Sequence, residues 1–193
     1  LRRFFVMVSC LAAAFASGAF FAYLGGAPYV GSQVFHLSPT EVGFYFGAPA
    51  LGYFFGNWIS GRYSMRLGIN TMILAGALIS ASGLIVSLLM FLIGFKTAFI
   101  FFGFMTFVGL GNGMVLPNAT SGMLSVRPHL AGTASGLGGA MMVGGGAALS
   151  ALAGSLLEGG NGAYPLIMIM LIASLSAVAA IIYTIKRDQF LAR

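Results

Sequence analysis

The chain has 193 residues, of which 59% are hydrophobic and 6% charged, with a mean hydropathy of +1.00. An average soluble domain carries about 25% charged residues, so a water-facing surface cannot be made from this composition. The net charge of +6 sets nine bases against three acids, Glu41, Glu158 and Asp188; the bases stand singly or in pairs, without the stripe a nucleic-acid interface needs, and the single Cys10 excludes a disulfide framework.

A bilayer core of about 30 Å needs about 20 helical residues, and six apolar windows reach that length. Arg2 and Arg3 precede the first, residues 4–25, which is too long for a signal-peptide core and is followed by others of its kind. The chain opens at Leu1 rather than methionine, and the expectation is that it starts inside a longer gene product. Gly25-Gly26-Ala27-Pro28 and His36-Leu37-Ser38-Pro39 then read as breakers. Ser38-Pro39-Thr40-Glu41 predicts a helix start: Ser38 caps free amides, Pro39 suits the first turn and Glu41 faces the positive dipole end.

The second window covers 42–61 and the third 69–93, with Gly94 as the stop. The fourth, 98–118, closes on Gly109-Leu110-Gly111-Asn112-Gly113, with Pro117 and Asn118 beyond, and is expected to bend there, its glycines loosening the helix. Asn112 either hydrogen-bonds a neighbouring helix or lines a polar cavity. The fifth window, 130–157, follows Pro128 and carries Gly132, Gly136, Ala140, Gly144 and Ala148 at a spacing of four. That smooth stripe suits helix packing, either static or as a surface on which a neighbour slides. Glu158-Gly159-Gly160-Asn161-Gly162 separates it from the sixth, 163–185.

Short connections make neighbouring helices antiparallel. Arg2, Arg3, Arg62, Arg66, Arg127, Lys186, Arg187 and Arg193 then fall on one side, and Lys96 on the other. The positive-inside rule places both termini in the cytoplasm. No Asp, Glu, Lys, Arg or His lies within a window away from the helix ends. Glu41, His36 and His129 read as boundary or loop residues, so a proton-carrying carboxylate is expected outside this chain. Ser121 and Ser135 have no histidine within a span to activate them, and neither an enzyme nor a metal or cofactor site is expected.

Gly61-Arg62-Tyr63-Ser64-Met65-Arg66-Leu67-Gly68, read as the loop after the second window, resembles the loop motif of the major facilitator superfamily. Gly61, Arg66 and Gly68 agree with it; Met65 stands where the motif has an acid and Ile69-Asn70 where it has bases. Arg62 and Arg66 also suffice simply as topology-setting cations. Gly26-Ala27-Pro28-Tyr29-Val30, Leu37-Ser38-Pro39 and Ala131-Gly132-Thr133-Ala134-Ser135-Gly136 resemble segments of the bicyclomycin/chloramphenicol-resistance drug:proton antiporters, over nearly the whole chain and at helices seven to twelve.

The resemblance implies an all-α membrane protein, residues 1–193 being the C-terminal six-helix half of a twelve-helix fold built from inverted repeats, in a bacterial inner membrane. It implies alternating access, proton-coupled efflux of lipophilic molecules, and an N-terminal half of the same polypeptide as partner. Phe20, Tyr23, Asn112, Met141 and Met142 are the candidates for the cavity wall, methionine being adaptable to differently shaped cargo. Gly61, Arg62, Arg66 and Gly68 are the candidates for the cytoplasmic gate. A carrier of a nutrient or metabolite is the alternative, and a six-helix channel or structural protein a further one.

Overall fold

The computed structural model describes residues 2–125, 131–157, 159 and 162–191. Arg127, Pro128, His129, Glu158, Gly160, Asn161 and Arg193, on which parts of the sequence reading rest, lie outside them. The described chain is all helical: α1 (Arg2–Tyr29), a π-turn (Val30–Val34), α2 (Pro39–Phe46), α3 (Ala48–Leu67), α4 (Ile69–Ile93), α5 (Ala98–Ser125), α6 (Ala131–Leu157) and α7 (Tyr164–Leu191).

Four described segments are long and apolar enough to cross a membrane: Ile69–Ile93, Ala98–Gly122, Gly136–Leu157 and Tyr164–Arg187. The 25 residues of α4 span about 37 Å at about 1.5 Å each, more than the hydrocarbon core. Large apolar side chains also face outward, among them Phe54, Trp58, Ile93 and Phe99. This is the pattern of an integral membrane protein.

Three expectations about boundaries are corrected. Gly25-Gly26-Ala27-Pro28 does not break α1, which runs to Tyr29. A methyl at Gly25 would meet Ser150, and one at Gly26 would stand 2.9 Å from Leu166, so these glycines admit α6 and α7 against α1. Pro28 is tolerated in the last turn, and the chain then widens into the π-turn, with the Phe35 N–H donating to the Val30 carbonyl at 3.1 Å.

The second window is two helices. Pro49 has no N–H for the Tyr45 carbonyl, so the helix parts at Gly47, whose N–H donates instead to Phe44 at 3.3 Å. The residues read as a loop after it are mostly helical: Gly61 to Leu67 form the last turns of α3, and the reversal is confined to Gly68, at φ +84°. Left-handed backbone of that kind is open to glycine without strain, which leaves α3 free to run into the joint.

The helix start at Ser38 is as expected. The Ser38 N–H and hydroxyl donate to the Glu41 carboxylate at 2.8 and 2.7 Å, and the Glu41 N–H returns to the Ser38 oxygen at 3.4 Å, a reciprocal cap. These bonds, the hydroxyl's first, hold the Glu41 carboxyl below its ordinary range. Gly94 closes α4 in the left-handed region, at φ +106°.

The main packing pairs are α1 with α6 and α7, α5 with α3 and α4, α4 with α7, and α1 with α5. Gly26 near the end of α1 meets Leu166 near the start of α7, so these two helices are antiparallel. The interior forms two stacked apolar clusters. One centres on Tyr23, Leu84, Phe91, Phe101, Phe102 and Met170, the other on Ala13, Ile73, Ala77, Val115, Ala119 and Ile181. On α1, α4, α5 and α7 the step between clusters holds a buried polar residue: Ser17, Ser80, Asn112 and Ser174.

Candidate functional site

Between α1, α3, α5 and α6 lies an apolar cleft of about 280 Å³. Ser17, Phe20 and Phe21 come from α1, Tyr53 from α3, Leu116 from α5, and Gly139, Met142 and Val143 from α6. Its shape follows from the packing. A tight α3–α5 pair forms one wall, and α6, which touches α1 far more than α5, stands back to leave the opening.

The α3–α5 wall is tight because glycines face backbone. A methyl on Gly109 would strike the Pro49 carbonyl, one on Gly56 the Leu110 carbonyl, and one on Gly113 would stand 2.5 Å from the Tyr53 carbonyl oxygen. The Gly109–Gly113 segment is therefore a close-contact surface and not a loosened one, and α5 continues through Pro117 to Ser125. A polar clasp fixes the register below it. The buried Asn118 amide donates to the Ser60 hydroxyl and to the Met114 carbonyl, each at 2.7 Å. Ser64 in turn donates to the Ser60 carbonyl at 2.6 Å.

Of the cavity candidates from sequence, Phe20 and Met142 meet on this cleft. Tyr23 does not line it. Its ring is buried, stacked 5.2 Å from Phe46, and its hydroxyl donates to the Phe46 carbonyl at 3.0 Å, so it pins α2 to α1. Asn112 is buried in the interior, its amide donating to the Val108 carbonyl of its own helix at 3.1 Å. Its Oδ1 has no hydrogen-bond partner among the described residues. Met141 is exposed and does not line the cleft beside Met142.

Sequence reasoning missed Tyr53, Ser17 and Phe21. An aromatic in an apolar run carries no mark of the side it faces; the glycines at 52 and 56, which turn that face of α3 onto α5, were the one available clue to where Tyr53 points.

Gly61, Arg62 and Arg66 lie exposed along the end of α3, beside Gly68. Lys186 and Arg187 lie near the end of α7, beyond the same apolar cluster that Ile69 and Ile185 flank. Lys96, in the α4–α5 joint, stands at the opposite end of α4. The stripe on α6 faces open space: methyls at Gly132, Gly136 and Gly144 would meet nothing within 4 Å, and Ala140 and Ala148 are exposed. Among the described residues it packs on no neighbouring helix, because α6 turns Gly146 and Ala153 to the interior instead. No protein-family model and no curated protein matches the chain.

Proposed function

We propose that the chain is one six-helix half of a secondary transporter of the major facilitator type, working by alternating access as a proton-coupled exporter of lipophilic small molecules. The observation that carries this reading is the symmetry of the helix pairing. Exchanging α1, α3 and α4 for α5, α6 and α7 turns the α1–α6 pair into α5–α3 and the α1–α7 pair into α5–α4, and leaves α1–α5 and α4–α7 in place. Inverted three-helix repeats give that pattern.

On this reading α1, α3, α4, α5, α6 and α7 are six spans, with both termini on the basic, cytoplasmic side of a bacterial inner membrane. The cleft formed by Phe20, Phe21, Tyr53 and Met142 is this half's share of the cargo site. Its lining is apolar and aromatic, with a serine and a tyrosine hydroxyl as polar groups, which suits lipophilic cargo better than a charged nutrient. The bare face of α6 meets the N-terminal half, which also supplies the carboxylate that binds the coupling proton. Protonation of that carboxylate in one state and cargo in the other bias the same rocking equilibrium in opposite senses. Arg62 and Arg66 hold the cytoplasmic rim.

The test is transport by the full-length protein in proteoliposomes under an imposed pH gradient, read with a lipophilic fluorescent cargo. Gradient-driven movement that collapses on adding a protonophore is expected. Cargo movement at the same rate with and without the gradient would overturn the exporter reading.

A further inference from the structure

A second cleft, about 330 Å³ in volume, opens at the end of the bundle remote from Arg62 and Arg66, and Val34, Phe35, Phe91, Lys96, Ala163 and Tyr164 line it. Its walls are set by unusual backbone. The π-turn at Val30–Val34 carries Phe35 inward, 6.3 Å from Phe91 and 5.8 Å from Phe101 between ring centres. His36 follows at φ +54°, the one non-glycine residue with positive φ among the described residues. π-turns are frequent at functional sites. Tyr164 is held in turn: its hydroxyl donates to the Phe91 carbonyl at 2.9 Å, and its ring stands edge-on to Phe91 at 5.9 Å.

The Lys96 ammonium lies over the face of that ring, 5.2 Å from its centre. Among the described residues no carboxylate pairs with it, and no acid lines the cleft. Among the described residues the cation is thus held by an aromatic face at the rim of a hollow with aromatic walls and a partly polar lining. The Lys96 charge disfavours a cationic guest, and a neutral one gains nothing from that charge. An anion on an apolar body gains both the charge-assisted contact and the burial. The volume is at the lower end of small-molecule pockets, which fits a body of about one ring.

We propose that this cleft binds a small lipophilic monoanion such as an aromatic carboxylate, its charged group on the Lys96 ammonium and its ring against Phe35, Phe91 and Tyr164. The site is separate from the cleft beside α6 and does not rest on the transport reading.

The experiment is fluorine NMR of para-fluorobenzoate titrated with the full-length protein in a neutral detergent, with para-fluorobenzamide as the uncharged match. Saturable binding of the benzoate by the wild type is expected. Lys96→Gln should raise its dissociation constant about tenfold or more, and Lys96→Arg, which keeps the charge, by less than about threefold. The benzamide should bind wild type and Lys96→Gln alike. Lys96 is exposed, so both variants should retain the wild-type melting temperature. Equal benzoate affinity in Lys96→Gln would overturn the proposal. So would the absence of saturable benzoate binding.

Discussion

Asn112 and Asn118 stand on the same helix, both buried, with different partners. Asn118 ties α5 to α3 through Ser60, whereas the Asn112 amide returns to its own helix. Asn118→Ala should therefore destabilise the protein by about 1 kcal/mol more than Asn112→Ala, read from unfolding in mixed micelles. Equal losses would mean that the Ser60 bond contributes nothing. The sequence points to Asn112 because it stands among glycines in mid-span; it gives no sign that Asn118, near the window's end, finds a serine 58 positions earlier in the chain. The cap at Ser38 is legible because its two partners are three residues apart.

The Glu41 cap also has a pH dependence. Its folded carboxyl titrates below the unfolded one, so its contribution is present above the unfolded pKa and is lost as pH falls through the folded pKa. Ser38→Ala should move the Glu41 titration, followed by carbon NMR, back towards the ordinary carboxylate range; an unmoved titration would refute the role of the hydroxyl. On the export proposal, Phe20→Ala and Met142→Ala in the cleft should change the relative export rates of cargoes of different shape. Met141→Ala, whose side chain lies off the cleft, should leave that profile unaltered in the same proteoliposome assay.

At the scale of helices, glycine has two roles that spacing alone does not separate. At Gly52, Gly56, Gly109 and Gly113 on α3 and α5 it lets backbones touch; at Gly132, Gly136 and Gly144 on α6 it faces open space. Gly56→Ala and Gly109→Ala should each destabilise by about 1–3 kcal/mol, the range of overpacking. Gly136→Ala and Gly144→Ala should not destabilise residues 1–193, since nothing occupies the added methyl's space, and should stabilise them by up to about 1 kcal/mol through helix propensity. If, as proposed, the bare face of α6 meets another helix of a longer transporter, these two variants should slow transport without destabilising residues 1–193. The spacing of four on α6 identifies a surface, but which side of the bundle it faces depends on α1 filling the other side. The four helices long and apolar enough to cross a membrane were legible because a bilayer sets their length. The continuation through Gly25–Pro28 and the break at Gly47 were not, because the first depends on tertiary approach of α6 and α7 and the second on which carbonyl loses its donor at Pro49.

For the whole molecule, the described helices bury two stacked clusters and leave broad apolar faces outside. On the proposed reading, a bilayer covers the outer faces of α4 and α7, and a second six-helix half covers the α3 and α6 faces that flank the cleft. That division is the central claim. It is tested most directly by the intact length of the natural polypeptide, from its mass and the sequence upstream of Leu1. The account predicts six further apolar segments there, one with a buried carboxylate, and a complete acidic-basic loop motif. A natural chain that starts close to Leu1 would contradict it and leave a self-associating six-helix carrier or channel in its place.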